Sequence, residues 1–297
     1  MNKQLRGSLC LLLTALIWGL AFPFQSRATE HVSAFVFTAA RSLITFAALS
    51  PFFFVRRRAT AVPDAPMASY IKIGLPLGAI LFLATVLQQL GLMDPNASSA
   101  KSGFITSLYI VIVPLLGLFI GRKVSLNVWI SVLFSLAGLC LLCLKETLGV
   151  TPGDLLTLGC ALTFSLHILA VDRFAANLDS AKLCALQFGA SGIFSLIIAL
   201  AFERADFSGL RDCWLELLYV GVLSGAVGYT LQIVGQKHTN PTLASLLMCL
   251  ESVFAALGGW MILREPLSPK ELLGCALMLA ACVLAQLPQK KRQRLRA

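Results

Sequence analysis

Ten stretches of this chain are apolar enough and long enough to cross a lipid bilayer as helices: 7–24, 32–55, 70–91, 97–120, 125–144, 152–175, 181–202, 214–236, 240–263 and 269–288. A crossing helix needs about 20 apolar residues at a rise of about 1.5 Å each. In hydrocarbon the backbone must satisfy its own hydrogen bonds, which makes such stretches helices rather than loops or open strands. Only short connections and two tails are left over, with no room for a water-soluble domain. Composition closes off the alternatives. The chain is 58% hydrophobic and 13% charged, where a soluble domain carries about 25% charged residues. Too little polar surface exists to cover a globule of 297 residues, so a disordered chain, a nucleic-acid binder and nearly any soluble enzyme are excluded. The fold class is all-α integral membrane with ten transmembrane helices.

The net charge of +10 is distributed as membrane topology requires. With the N-terminus inside, the inner side carries sixteen Lys and Arg residues, among them Arg56–Arg58 and the tail residues Lys290, Lys291, Arg292, Arg294 and Arg296. The outer side carries seven, and Arg41 lies within a span. Positive charge collects on the cytoplasmic side, so the chain is a multi-pass protein of the cytoplasmic (plasma or inner) membrane with both termini cytoplasmic. Its basic tail suits anionic lipid headgroups. The first stretch is an uncleaved span: Pro23, Phe24, Gln25 and Arg27 stand where a signal peptide would have small residues. The loop around 56–69, with Pro63 and Pro66, is read as a flexible link. Eight of the nine cysteines lie in apolar stretches and Cys213 in a polar connection; cysteine here is a small packing residue.

The chain also compares with itself. Adding 143 to residues 76–142 places Gly78 on Gly221, Gln89 on Gln232, Ser102 on Ser245, Ser125 on Ser268, Leu136 on Leu279 and Ala137 on Ala280 without a gap. Adding 146 near the start places Gly7 on Gly153 and Arg27 on Arg173. Residues 1–148 and 149–297 therefore form two five-helix repeats. Five is odd, so the second repeat enters the membrane with opposite polarity. Two inverted five-helix repeats are a design used by carriers, whose halves exchange inward-open and outward-open shapes around a site near the midplane.

Polar residues at membrane depth point to that site. Glu251 lies halfway along the ninth stretch and Arg41 inside the second. An ionisable group at a helix centre costs about 2.5–3.5 kcal/mol and faces a cavity or a partner. Two readings of Glu251 stand: proton coupling or recognition of a substrate amine, and a structural ion pair or hydrogen bond between helices. The eighth stretch carries Gly225, Tyr229, Gln232 and Gln236 on one face, and the third repeats the spacing with Gly78, Phe82, Thr85 and Gln89. Such faces line an aqueous route or bond helix to helix. Ser102, Thr106, Tyr109 and Val113 share a face of the fourth stretch, where Pro114 is expected to kink the helix. His167 is either a packed, hydrogen-bonded residue or a proton relay, and Trp18 an aromatic wall or an interface anchor. Gly74/Gly78, Gly117/Gly121 and Gly221/Gly225 are GxxxG pairs, read as helix packing within the bundle, and no oligomer is required.

The motifs HExxH, GxSxG and GxxxxGK(S/T) and an acidic metal pair are missing from the sequence. The chain is read as no enzyme, with no catalytic residues, no cofactor and no metal. Without a nucleotide site, ATP-driven transport by this chain alone is excluded.

The residues resemble the drug/metabolite transporter superfamily in its ten-helix EamA-type branch, over about 7–288. The resemblance rests on Leu16-Ile17-Trp18-Gly19-Leu20-Ala21-Phe22, Phe104-Ile105-Thr106-Ser107-Leu108-Tyr109 with Val113-Pro114-Leu115-Leu116, and Gly153-Asp154-Leu155-Leu156. It continues in Leu250-Glu251-Ser252-Val253-Phe254-Ala255-Ala256-Leu257 and Arg264-Glu265-Pro266-Leu267-Ser268. It implies a central cavity lined mainly by spans 1, 3, 4, 6, 8 and 9, and export or exchange of small metabolites, often amino acids or related compounds. The chain departs from the family where Arg264 replaces a glycine, where Ser252 replaces a proline after the glutamate, and where Arg122 stands opposite Glu265 in the other repeat.

The expectation is a secondary active transporter that exports a small amino-acid-like metabolite by alternating access. Substrate contacts are expected from Trp18, Gln89, Thr106, Tyr109, His167, Tyr229, Gln232 and Glu251, with Glu251 also carrying the proton of an antiport. The partners are the small molecule, membrane lipid and protons, with no nucleic acid. An uncoupled facilitator and a membrane-embedded sensor or regulator are the alternatives.

Overall fold

A computed structural model describes residues 3–54, 65–95, 99–143, 150–203, 206–263 and 267–286. The run Arg56–Arg58, Pro63, residues 264–266 and the basic tail lie outside the described residues. Within them all regular structure is helical: α1 Lys3–Gly19, α2 Ala21–Ala28, α3 Ala34–Leu49, α4 Met67–Leu92, α5 Ser99–Thr106, α6 Tyr109–Phe119, α7 Leu126–Cys143, α8 Pro152–Phe174, α9 Ser180–Phe202, α10 Trp214–Leu218, α11 Tyr229–Gln236, α12 Pro241–Met248, α13 Glu251–Leu263 and α14 Pro269–Gln286. A π-helical segment, Tyr219–Gly228, joins α10 to α11. Eight helical runs are long and apolar enough to cross a membrane, and Leu126–Leu142 and Pro241–Leu257 are shorter apolar helices.

Local chemistry sets the ends. Thr151 and Asp154 form a reciprocal capping box with Pro152 in the first turn of α8. The Asp179 side chain accepts from the Ala181 and Lys182 amides to start α9, and Asn240 accepts from the Leu243 amide to start α12. Gly121 closes α6 at φ 77°, with the Arg122 amide donating to the Gly117 carbonyl and the Gly121 amide to that of Leu118. This is a Schellman turn, which needs the left-handed conformation that glycine adopts freely. The Gly117/Gly121 pair is therefore a helix stop, since a Cβ on Gly121 would meet nothing within 4 Å.

The bundle is inverted relative to a soluble protein. On α9, Ile193, Ile197 and Leu200 are exposed, while Gln187, Ser191 and Ser195 are fully buried. On α8, Leu155, Leu158, Leu162 and Leu166 face out, while Thr157, Ser165 and His167 face in. An apolar exterior around polar helix faces suits lipid as solvent and puts hydrogen-bonding groups between helices.

Packing pairs α7 with α14, α3 with α9, and α4 with both α8 and α9; α1 packs on α11, and α3 on the π segment. Glycines set the closest crossings. A Cβ on Gly78 would stand 2.6 Å from the Gln187 carbonyl oxygen and Ala190 Cβ, and one on Gly221 would stand 3.2 Å from the Arg41 carbonyl oxygen and 2.7 Å from Ile44 Cγ2. Gly91 meets the Gly153 carbonyl oxygen, and Gly235 that of Gly7, each at 2.9 Å. The GxxxG pairs Gly74/Gly78 and Gly221/Gly225 thus serve contacts inside the bundle. Two ion pairs fasten the α5–α6 run to both ends of α8: Lys101 with Asp154 at 2.5 Å, and Arg122 with Asp172.

The fourth span breaks between Thr106 and Tyr109, a break the sequence does not announce, while Pro114 lies inside α6. Cys213 lies in the connection before α10, with its side chain fully buried in the cluster of Val36, Phe37 and Leu217. Cys140 and Cys143 also stand at a Cys-x-x-Cys spacing on α7, and among the described residues no group of His, Cys, Asp or Glu is placed to hold a metal.

Candidate functional site

Four runs lose regularity around one central cavity: α1–α2 near Leu20, α5–α6 at Ser107-Leu108, α12–α13 at Cys249-Leu250, and the π segment between α10 and α11. A broken or widened helix frees backbone carbonyls that a straight one would consume, and at membrane depth such irregularity is tolerated where it lines a cavity or is buried in protein. The π segment follows this rule. Its Gly221 carbonyl accepts from Thr45 Oγ1 at 2.6 Å, its Ser224 carbonyl from the Trp18 indole at 3.3 Å, and its Gly228 carbonyl from Thr14 Oγ1 at 3.2 Å.

The breaks in α5–α6 and α12–α13 meet at Glu251, the first residue of α13. Its Oε1 accepts from Tyr109 OH at 3.0 Å and from Ser107 Oγ at 3.3 Å, and Ser107 Oγ lies 3.0 Å from Ser252 Oγ. Glu251 is 3% exposed and lines the cavity. Among the described residues no ion pair reaches it, the pairs there being Arg27–Glu216, Lys101–Asp154 and Arg122–Asp172. The ion pair allowed by the structural reading of Glu251 is not formed; the hydrogen bond between helices is.

An aromatic wall stands beside the carboxyl. The Tyr229 ring lies 4.6 Å from that of Trp18 and 4.9 Å, edge to face, from that of Phe188. Trp18 forms one side of this wall. Six of the eight expected contact residues line this cavity: Trp18, Thr106, Tyr109, Tyr229, Gln232 and Glu251. Gln89 and His167 stand behind it. The fully buried Gln89 donates to the Gln25 carbonyl at 3.2 Å, and Gln88, one residue earlier, takes the lining position with its amide 3.4 Å from Thr106 Oγ1. His167 is fully buried, with Nε2 2.9 Å from Gln187 Oε1 and its ring 6.3 Å from that of Tyr229. Of its two readings, the packed and hydrogen-bonded one matches this placement.

Five lining polar residues were not among the expected contacts: Gln25, Arg41, Thr85, Gln88 and Ser224. Arg41 had a signal, its charge at mid-span. Gln25 and Gln88 had only amides within apolar stretches, and Ser224 only its place beside the glycines of the eighth. The second and seventh spans also reach the cavity, through Arg41 and Phe188.

Comparison with known proteins bears on the family and the fold. Residues 5–144 and 151–287 each match the model of the EamA-like transporter family. A protein of Archaeoglobus fulgidus described as an uncharacterized transporter is 30% identical over 286 residues, covering 96% of this chain and 87% of the relative. A solved crystal structure, described only as that of a protein, superposes with a TM-score of 0.75 at 21% identity, covering 94% of this chain and 96% of its own. That likeness is one of fold.

Proposed function

From the premise that the chain belongs to the EamA-like transporter family, and is a multi-pass membrane transporter of the drug/metabolite type with a two-repeat architecture, we propose that it exports a small metabolite by proton-coupled alternating access. The proposal places ten spans in the cytoplasmic membrane as two inverted repeats, with both termini inside, lipid around the bundle and no second copy required.

Internal symmetry supports the inverted repeats. Spans are numbered here in chain order. The second packs on the seventh and the fifth on the tenth, each on its own equivalent, while the third on the sixth is matched by the eighth on the first. The glycine crossings agree residue by residue. Gly78 on Gln187 and Ala190 becomes Gly221 on Arg41 and Ile44 when 143 is added to the glycine and 146 is subtracted from its partners. Gly91 on Gly153 becomes Gly235 on Gly7 within one residue. Two halves that meet across such an axis can exchange roles, which is the requirement of alternating access.

Glu251 carries the coupling. The decisive observation is a buried carboxyl at the meeting of two broken helices, bonded by two hydroxyls and joined to no cation among the described residues. A carboxyl without a permanent counter-ion takes up and releases a proton as its surroundings change, and that exchange alters the bonds holding α6 to α13. Breaks are also the places where a helix bends at least cost. Protonation and movement are therefore joined at one residue. Trp18, Thr106, Tyr109, Tyr229 and Gln232 surround the substrate, with Gln89 and His167 supporting the wall from behind. Export rather than uptake follows the family.

The test begins with metabolites retained by cells that lack the protein. A retained compound is offered to vesicles containing the purified chain under an imposed pH gradient. Accumulation that follows the gradient and collapses with it is expected. Flux indifferent to the gradient would make the protein an uncoupled facilitator, and binding without flux would make it a sensor.

A further inference from the structure

Arg41 sits at mid-length in α3, is 6% exposed, and lines the central cavity. Burying a guanidinium at that depth is costly unless charge or hydrogen bonds compensate. Its surroundings compensate only on one side. Nη1 donates to Gln25 Oε1 at 2.6 Å, and the Phe37 ring lies 5.6 Å from Cζ. Nε and Nη2 have no hydrogen-bond partner among the described residues. No carboxylate there forms an ion pair with it, Glu251 included.

The two unpartnered nitrogens share one edge of the guanidinium. That edge offers two parallel N–H donors, the fork that takes both oxygens of a carboxylate. Gln25 holds the opposite end, so the fork is positioned before any ligand arrives. The position is also specific to one repeat: adding 146 to Arg41 gives Gln187, a neutral amide bonded to His167. A charge needed for packing at the crossing of the second and eighth spans would be expected at the equivalent crossing of the seventh and third, where none stands.

We propose that Arg41 is a carboxylate-binding site, and that the substrate of this cavity is a small organic acid whose carboxylate is gripped by the Nε–Nη2 edge. Gln25 is its positioning residue. The apolar part of the ligand lies against the wall of Trp18, Phe22, Phe188 and Tyr229. The inference rests on the reading of this cavity as the substrate site.

The test uses the full-length chain in detergent and benzoate as probe, with benzamide as its neutral counterpart of the same shape. Benzoate raises the melting midpoint in a concentration-dependent way, and benzamide does not. Arg41→Gln removes the response. Arg41→Lys keeps the charge but loses the fork, weakening benzoate by about tenfold, the loss of one charge-assisted hydrogen bond. Should the variants fail to fold, phenylglyoxal modification of the wild-type protein decides: benzoate shields Arg41, read by peptide mass, and benzamide does not. Equal effects of the two probes, an undiminished response in a folded Arg41→Gln, no response to benzoate at all, or no shielding of Arg41 would each overturn the proposal. Binding and transport separate cleanly here. Metabolite flux without preference for benzoate overturns the carboxylate site alone, and benzoate binding without flux of any metabolite overturns the carrier reading alone.

Discussion

Glu251→Gln reduces pH-driven accumulation in vesicles to the rate of protein-free controls, while the protein stays folded and still exchanges substrate across vesicles at equal pH. The separation follows from the geometry. Glutamine has the size of the carboxyl, and its carbonyl oxygen can still accept from Tyr109 OH and Ser107 Oγ, the partners at 3.0 and 3.3 Å. What it lacks is a proton to take up and release. Exchange at equal pH needs the halves to rock but needs no net proton movement, so a permanently neutral side chain permits it. Initial rates with and without a gradient measure both. If the variant keeps wild-type accumulation and wild-type pH dependence, the proton has another carrier.

Gly138→Ala destabilises the bundle by about 2 kcal/mol, because the added methyl has nowhere to go. Its Cβ would stand 2.6 Å from the Gly274 carbonyl oxygen and 2.9 Å from Met278 Cγ, and a Cβ on Gly274 would stand 2.5 Å from the Gly138 carbonyl oxygen. A backbone oxygen cannot swing aside as a side-chain tip can, so α7 and α14 must part along their crossing. For a chain of this size the melting midpoint falls by roughly 4–8 °C. Gly159→Ala is the control, since its Cβ meets only Leu87 Cδ1, at 3.4 Å. There the better helix propensity of alanine leaves stability unchanged or slightly raised. Equal shifts for the two variants in detergent would show that the α7–α14 contact does not limit stability.

What was legible in the sequence follows from the solvent. Lipid demands apolar length, so the runs that became helices stand out without an alignment, and a charge such as Glu251 or Arg41 inside them marks the interior. Rotation about a helix axis is harder to read. Gln88 and Gln89 differ by one residue, about 100° of rotation, and that rotation sends one to the cavity and the other to the Gln25 carbonyl behind it. Helix breaks were hidden for a related reason. Pro114 announces itself by lacking an amide hydrogen, whereas the break at Ser107-Leu108 contains neither proline nor glycine. Tertiary hydrogen bonds linking Ser107 with Glu251 and with Ser252 hold that irregular turn, and such partners are invisible in a linear reading. The π segment was hidden likewise. Its glycines read as packing, while the side-chain donors that satisfy its widened backbone, Thr14, Trp18 and Thr45, come from two other spans.

Two halves facing opposite ways across one membrane are the claim on which the carrier account stands. Pro95 and His238 are both exposed and are equivalent under the offset of 143. Each is replaced by cysteine, and intact cells are treated with an impermeant thiol reagent, with modification read by peptide mass at that site alone. The account predicts that Pro95→Cys is modified from outside and that His238→Cys is modified only after the membrane is opened. Modification of both from the same side would contradict it, because equivalent positions of inverted repeats cannot share a face.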